Sequence, residues 1–333
     1  MLASKALELL KELVKIPSPS GYEEELSEYI VSYLKNLNYS PKVDSVGNVV
    51  LDFGADIWVT AHMDTVEKQV NFSFDGEFCY GTGVADDKAS IAAILLALES
   101  GRKNFNCALF VDEEESGFGS KKFVEGKPPS MAVVMEPTEL KICSKHWGVV
   151  EFSIEIEGKQ AHGSTPWAGE NAIEKALDLI EELRKIGEKN GAFLNLLQAK
   201  SAPENIYAIP NSCYLKAEYL LPEKPLPLLE LLETLEKYGK ARILEVSNPF
   251  VSHKVAKILE NAVITAGIKL ERACMPSWTD AVNLNNAGWD VAVFGPGKLE
   301  ICHTRMEKVS IYEIIKASEV LRRLEIKNYE ILK

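Results

Sequence analysis

A histidine and an aspartate stand two residues apart, directly after a short apolar run. His62 and Asp64 follow Ile57–Val59, whose β-branched and aromatic residues are typical of a buried strand. Alternation along a strand points both side chains to the same side. A metal-binding imidazole needs a second group to fix its ring and tautomer, and a nearby carboxylate supplies it. The pair therefore indicates a metal ligand at a strand end, with a surface turn as the alternative.

Two further apolar runs also end in acidic residues. Cys107–Val111 is followed by Asp112-Glu113-Glu114-Glu115, and Met131–Met135 is followed by Glu136. Clustered acids are usually a solvated face, but a bound cation can also neutralise them and leave one carboxylate as a base. Because three strands in succession end in such residues, a solvated face would have to arise three times independently. We therefore favour a metal site.

A segment with two glycines, Gly81–Ser90, adds Asp86 and Asp87. Glycines before an aspartate suggest a turn that brings a carboxylate into a site. A dinucleotide-binding loop is the competing interpretation, but the third glycine of that motif is absent. A helix is predicted over Ile91–Leu98, so a helix N-cap is the simpler structural role for either aspartate.

Composition limits the classes of function. The chain has 333 residues and a net charge of −12, which argues against a general nucleic-acid or anionic-membrane binder. No apolar run approaches the about 18–20 residues of a transmembrane helix, and Met1–Lys15 has helical spacing rather than the pattern of a signal peptide. The six cysteines form no Cys-x-x-Cys pair, so we expect a reduced protein in the cytoplasm.

The elements that must position these residues change character along the chain. Up to residue 146, helical apolar stripes alternate with short apolar strands, a pattern that predicts an α/β domain. Residues 147–246 instead combine alternating strands with two amphipathic helices, and the α/β pattern returns over 247–333. We predict a mixed-sheet catalytic domain in two parts, 1–146 and 247–333, with an inserted α+β domain at 147–246. Strands of the inserted domain are predicted at Val149–Glu157, Ile206–Ile209, Cys213–Leu220 and Ala241–Val246.

Six short segments in order resemble the M20 metallopeptidase family, the group of acetylornithine deacetylase, succinyl-diaminopimelate desuccinylase, aminoacylases and glutamate carboxypeptidases. Each segment is weak alone, but six in the right order are a specific signal. The resemblance runs from the first helix to the last and implies a zinc-peptidase-like catalytic domain with an inserted lid and dimerisation domain. The segments are His62-Met63-Asp64-Thr65-Val66, Gly81-Thr82-Gly83-Val84-Ala85-Asp86-Asp87-Lys88, Asp112-Glu113-Glu114, Glu136-Pro137-Thr138, Gly158-Lys159-Gln160-Ala161-His162, and Gly295-Pro296-Gly297 with His303-Thr304.

The resemblance implies a centre of two divalent metal ions, zinc with cobalt or manganese as alternatives. One ion would be held by His62, Asp86 and Glu136. The other would be held by Asp86, Glu114 and His303, so that Asp86 bridges the two. Two histidines and three carboxylates are suitable nitrogen and oxygen ligands for Zn²⁺.

The resemblance also assigns roles to residues that are not ligands. Asp64 would orient His62, and Glu113 would be the general base that carries a proton from the attacking water to the leaving amine. His162 resembles a histidine of the lid that enters the partner subunit's site and stabilises the oxyanion. The family resemblance therefore implies a homodimer formed through the lid.

Two positions depart from the family pattern. Leu220 stands where many members have an arginine on a late strand of the lid. Trp278 lies in a loop that often reads Gly-Thr-Ser-Asp in the family. Both departures affect which substrate is expected and leave the predicted metal chemistry unchanged.

Three functions compete. The first is a two-metal amidohydrolase acting on an N-acyl amino acid of the ornithine, lysine or diaminopimelate type, in amino-acid biosynthesis. The second is a di- or carboxypeptidase with the same site, and enzymes that release lysine or ornithine from an amino-group carrier protein fall between these two. The third is a metal-free relative that only binds amino acids or partners, which should have lost a ligand or the base. The expected partners are thus a small N-acyl amino acid, a short peptide or a carrier-linked amino acid, with no nucleic acid and no membrane.

Overall fold

A computed structural model of the chain describes residues 2–204 and 206–325. Helices alternate with strands in the first and last parts, and strands dominate the middle. The helices are Leu2–Lys15 (α1), Glu24–Asn36 (α2), Lys88–Leu98 (α3), Phe118–Val124 (α4), Ala172–Asn190 (α5), Leu228–Glu236 (α6), Lys254–Thr265 (α7), Ala281–Asn286 (α8) and Ile311–Leu321 (α9). The strands are Lys42–Val43 (β1), Val49–Leu51 (β2), Ile57–His62 (β3), Ser73–Phe74 (β4), Phe78–Tyr80 (β5), Asn106–Phe110 (β6), Met131–Val134 (β7), Ile142–His146 (β8), Gly148–Glu157 (β9), Phe193–Ala202 (β10), Ser212–Leu221 (β11), Gly239–Ser247 (β12), Phe250–Val251 (β13), Arg272–Met275 (β14), Asp290–Val293 (β15) and Lys308–Ser310 (β16).

Three neighbouring parallel strands form the centre of the largest sheet. β3 lies between β6 and β7 and runs parallel to both. Every residue of β3 and β6 is buried, which is typical of parallel strands covered on both faces. The sheet order is β1-β2-β6-β3-β7-β15-β8-β13, with β14 paired to β8. Because β2 and β8 join antiparallel, the sheet is mixed, and the predicted α/β class with a mixed sheet is confirmed.

The carboxyl ends of the three parallel strands meet at one edge of this sheet. β3 ends at His62, and β6 ends at Phe110, shortly before Glu113 and Glu114. β7 ends two residues before Glu136. The strand order therefore brings three separate segments of predicted site residues to the same edge.

A small antiparallel sheet holds the two remaining segments with predicted ligands. Its order is β16-β5-β4. β5 leads into the segment with Asp86, and β16 follows the segment with His303. Pairing of Val309 with Cys79 in this sheet therefore keeps the two segments side by side.

The chain divides into two compact units. The first unit consists of three segments, which are the chain up to Lys145, Val251–Met275, and the part from Thr279 onward. The second unit consists of His146–Phe250 and Pro276–Trp278. The sheet of the second unit is antiparallel, with the order β10-β11-β9-β12. Burial alternates along β11, and α5 and α6 pack against this sheet. Such alternation is expected when one face of an antiparallel sheet is covered and the other is solvated.

The strand predicted at Ile206–Ile209 is wrong. Ala208 makes only an isolated bridge, with His162, and one edge of the sheet is instead formed by β10, which the sequence pattern did not predict. Most residues of β10 are exposed. An edge strand that buries so little carries no clear apolar alternation, so the pattern that identifies half-buried strands is missing there.

Among residues 2–204 and 206–325, no helix combines the length and the apolar character that crossing a bilayer requires.

Candidate metal centre

His62 is fixed at the end of β3 by contacts to both of its ring nitrogens. Nδ1 lies 3.0 Å from the backbone oxygen of Asp64 and 3.3 Å from its Oδ1. Nε2 lies 3.0 Å from Oδ1 of Asp86, and the residue is 1% exposed. If Nδ1 carries the ring proton and donates a hydrogen bond to Asp64, Nε2 is the nitrogen available as a ligand.

Asp64 is a buried acceptor that joins three separate segments. Its carboxylate accepts hydrogen bonds from Ser20 Oγ at 2.7 Å and from the backbone N–H groups of Glu113 at 3.0 Å and Glu114 at 2.9 Å. Burial raises the pKa of Asp64, but its hydrogen bond to His62 and the charge of that ring lower it below the usual value overall. One anionic side chain thus orients the imidazole and also fixes the acidic segment after β6.

Asp86 uses its two carboxylate oxygens for two different histidines. Oδ1 faces His62, as described above, and Oδ2 lies 3.2 Å from Nε2 of His303. Burial raises the pKa of Asp86, but hydrogen bonds to His303 and His62 lower it well below the usual value. A carboxylate that spans two imidazoles in this way has the geometry expected of a bridging ligand.

His303 and Glu114 complete the second side of this arrangement. His303 Nε2 lies 2.9 Å from Oε1 of Glu114, and the His303 side chain is 48% exposed. Hydrogen bonds with Asp86 and Glu114 raise the pKa of His303 to about 10, a measure of how negative its surroundings are. Single ligand atoms of His62, Asp86 and Glu114 all lie within 4.8 Å of one another.

Glu113 and Glu136 add two carboxyl groups to the site. Burial raises the pKa of Glu113 well above its usual value, and the charges of Asp280, Glu114 and Asp64 raise it further, although His62 opposes them. Burial likewise raises the pKa of Glu136, and the charge of Glu113 adds to the effect.

A further aspartate, Asp87, is buried beside the site. Its Oδ2 accepts a hydrogen bond from the backbone N–H of His62 at 3.3 Å, while its buried Oδ1 has no hydrogen-bond partner. Burial raises the pKa of Asp87 well above the usual value.

The donor set fits divalent cations. Carboxyl groups outnumber imidazoles here, and a bound cation would favour their charged form, which burial and mutual repulsion disfavour. Nitrogen and oxygen donors at this spacing are what borderline metals such as Zn²⁺ prefer. The carboxyl groups are those of Asp64, Asp86, Asp87, Glu113, Glu114 and Glu136, and the imidazoles are those of His62 and His303.

The sequence analysis did not identify Glu307, which binds the backbone of the segment that carries Asp86. Glu307 is 2% exposed, and its carboxylate accepts hydrogen bonds from three backbone N–H groups, those of Gly83, Ala85 and Asp86. The only signal for it in the sequence is an acidic residue four positions after His303, which by itself does not distinguish a buried acceptor from a solvated glutamate.

His162 belongs to the second unit, apart from the predicted ligands, all of which lie in the first. Its Nδ1 lies 2.7 Å from Oγ of Ser164, and its ring meets the ring of Tyr207 edge-on at 5.5 Å between centroids. Both side chains are exposed. The ring is therefore available at the surface of its unit, and its role stays a prediction.

Comparison with known proteins gives concordant similarities along nearly the whole chain. Residues 58–326 match the model of peptidase family M20/M25/M40. A LysW-lysine/LysW-ornithine hydrolase of Sulfurisphaera tokodaii is 27% identical over 94% of this chain and 92% of its own. A tripeptidase structure from Staphylococcus aureus has a TM-score of 0.83 at 22% identity, covering 97% of this chain and 98% of its own. The Bacillus subtilis YXEP protein, described as a dinuclear metal binding peptidase from the M20 family, has a TM-score of 0.69 at 16% identity, covering 97% of both chains.

Replacing Asp64 with Asn should weaken metal binding although Asp64 is not a predicted ligand. Asn keeps the shape but is uncharged and presents an N–H group among the donors that Asp64 accepts from, so His62 keeps the backbone contact and loses the anionic partner of Nδ1. Loss of such a partner typically reduces metal affinity about 10–100-fold. The measurement is competition for Zn²⁺ against a chromophoric chelator.

Asp75→Asn is the matched control for this substitution. Asp75 is exposed, and its carboxylate also accepts two backbone hydrogen bonds, from Glu77 and Phe78. Its replacement should leave the Zn²⁺ affinity unchanged. Equal affinities of the Asp64→Asn variant and the wild type would contradict the orienting role of Asp64.

Proposed function

The chain belongs to peptidase family M20/M25/M40, a family of hydrolases, and from this premise we propose that it is a two-metal amidohydrolase that cleaves the amide bond of an N-acyl amino acid. The observation that carries the proposal is the arrangement of Asp86, which directs one carboxylate oxygen to His62 and the other to His303. The proposed ligands of one metal ion are His62, Asp86 and Glu136. Those of the other are Asp86, Glu114 and His303.

Zinc is the proposed metal, because the ligands combine imidazole nitrogens with carboxylate oxygens. Two bound cations would lower the pKa of a water and polarise the amide carbonyl. Glu113 is the proposed base that takes the proton of the attacking water and passes it to the leaving amine. Burial and neighbouring acids raise its pKa above the usual value, and a raised pKa makes a carboxylate a better proton acceptor.

The proposed substrate is lysine or ornithine held through an amide bond, in the form of a small N-acyl amino acid or attached to a carrier protein. Support comes from the Sulfurisphaera tokodaii relative, whose similarity extends over nearly the whole of both chains. A di- or carboxypeptidase with the same site is the alternative. The proposed setting is amino-acid biosynthesis in the cytoplasm.

A hydrolysis screen tests the substrate class. Acetyl-, succinyl- and glutamyl-blocked ornithine, lysine and diaminopimelate are compared with dipeptides, each with Zn²⁺ and with Co²⁺. The proposal expects the highest kcat/KM for a blocked lysine or ornithine. A preference for dipeptides would instead identify a peptidase, and a folded protein that binds no metal and cleaves nothing would identify a binding protein.

Residues 147–246 are proposed to form a lid that pairs with a second copy of itself. Both edges of the sheet in the second unit carry exposed apolar side chains, among them Phe193 and Leu196 on β10 and Leu244 and Val246 on β12. Exposed edges of this kind favour pairing with another chain, and a two-fold symmetric pairing would close the assembly as a dimer. His162 of one subunit would then donate a hydrogen bond to the oxyanion in its partner's site.

Replacing Glu113 with Gln should lower kcat by about 10²–10⁴, because the side chain keeps its shape but no longer accepts the proton. Metal content should stay at the wild-type level, since Glu113 is not a proposed ligand. Steady-state kinetics and elemental analysis measure the two quantities. Glu115→Gln, which changes an exposed acid two residues along the chain, is the control with normal kcat, and full activity of Glu113→Gln would exclude this residue as the base.

Mixing two inactive variants tests whether His162 acts across the dimer. A dimer of Glu113→Gln and His162→Ala contains one site with an intact base and an intact partner lid, while its other site carries both defects. Subunit exchange should therefore restore up to about half of the wild-type activity per mixed dimer, as expected for one complete site in two. Subunits with two different affinity tags verify the exchange. Exchange without recovery would show that His162 acts within its own subunit, and full activity of His162→Ala would remove its role altogether.

A further inference from the structure

Glu307 connects the two segments that bring Asp86 and His303 into the first unit. It follows His303 by four residues and directly precedes β16. Its carboxylate contacts the other segment through both oxygens. Oε1 accepts hydrogen bonds from the backbone N–H groups of Ala85 at 2.9 Å and Asp86 at 3.2 Å, and Oε2 accepts one from Gly83 at 3.1 Å.

The backbone around Gly83 is shaped to present these N–H groups to one anion. Gly83 has φ +78°, and a Cβ added there would lie 2.5 Å from Cγ2 of Thr65, so a larger residue would have to displace its neighbour. The backbone N–H of Gly81 also donates to the carbonyl oxygen of Glu307, at 3.3 Å. N–H groups that converge in this way form a concave anion-binding site. Here the bound anion is the carboxylate of Glu307.

The contact holds the backbone of Asp86, the residue whose side-chain oxygens face the two histidines. Asp86 donates its own backbone N–H to Glu307, while its side chain faces His62 and His303. His303 lies on the same short segment as Glu307, and its carbonyl oxygen accepts a further hydrogen bond from Gln69 Nε2 at 3.3 Å. A shift of Glu307 would therefore move Asp86 relative to His303.

We propose that Glu307 is a positioning residue for the metal centre, which sets the separation of Asp86 and His303 by binding the backbone of the Asp86 segment. The inference rests on the proposed function, since it assumes that both residues are metal ligands. Glu307 touches neither substrate nor metal in this proposal. Its effect is to preorganise two ligands that come from distant parts of the sequence, as hydrogen-bonding partners of metal ligands do elsewhere.

Zn²⁺ binding to the metal-free protein tests the proposal directly. Wild type, Glu307→Gln and Glu307→Asp are titrated with Zn²⁺ in competition with a chromophoric chelator, and the Tm of each metal-free protein is measured beside it. Gln keeps the length but turns an N–H group toward backbone donors, whereas Asp keeps the charge but has a shorter reach. The apparent Kd should rise about 10–100-fold for Gln and by less for Asp.

Glu300→Gln is the matched control. Glu300 lies three residues before His303, its side chain is 78% exposed, and it pairs with Lys298. Its replacement removes the same charge from the same segment and should leave the Kd unchanged. A general electrostatic effect would instead weaken Zn²⁺ binding in both Gln variants and overturn the proposal.

The remaining outcomes separate this inference from the proposed function. A wild type that binds no Zn²⁺ would overturn the proposed metal centre and the inference with it. A wild type that binds Zn²⁺ tightly, with an unchanged Kd and a lowered Tm in Glu307→Gln, would overturn only the inference and make Glu307 a stability residue. If neither Glu307 variant folds without metal by circular dichroism, Glu307 is a folding anchor and the proposal fails.

Discussion

The first unit is organised around a buried excess of negative charge. Carboxyl groups that would repel one another in an apolar interior are held at one sheet edge, where loss of hydration raises the pKa of Glu113, Glu136 and Asp87. Backbone N–H groups offset part of this repulsion, since buried carboxylates are stabilised by charge-assisted hydrogen bonds. Asp64 takes two such bonds, and Glu307 takes three. The main chain therefore fixes the carboxylates of Asp64 and Glu307, while the carboxylate oxygens of Asp86 and Glu114 face the rings of His62 and His303.

The part of this site that follows the parallel strands could be predicted from the sequence. An apolar run followed by a polar residue defines both the strand and its end, and parallel neighbours bring such ends together. His62, Glu114 and Glu136 were identified in this way. His303 was assigned by the family resemblance, because a histidine after a glycine-rich turn has no periodic pattern around it. Glu307 was missed for the same physical reason, since its partners are backbone N–H groups, which leave no signature in the side-chain sequence.

In the second unit, the pattern of apolar residues predicts the strand β11 but does not predict the strand β10. β11 alternates between buried and half-buried residues along its length, and most of it was predicted as a strand. β10 pairs with β11 on one side only and exposes most of its residues. Its side chains therefore bury little against the core of its own unit, to which Leu194 contributes. Backbone pairing with β11 defines this strand, and pairing partners cannot be inferred from one strand's side chains.

The residues around His62 and His303 and the two positions that depart from the family pattern lie in different units. Asp64, Asp87 and Glu307 each accept backbone hydrogen bonds from another segment, so a change at one of them disturbs a second segment. The two departures from the family pattern, Leu220 and Trp278, instead lie in the second unit, and both residues are half-buried. Substitutions at half-buried positions disturb a core less than substitutions at fully buried ones. Differences in substrate are therefore expected at positions such as these rather than among the hydrogen-bonded carboxylates of the first unit.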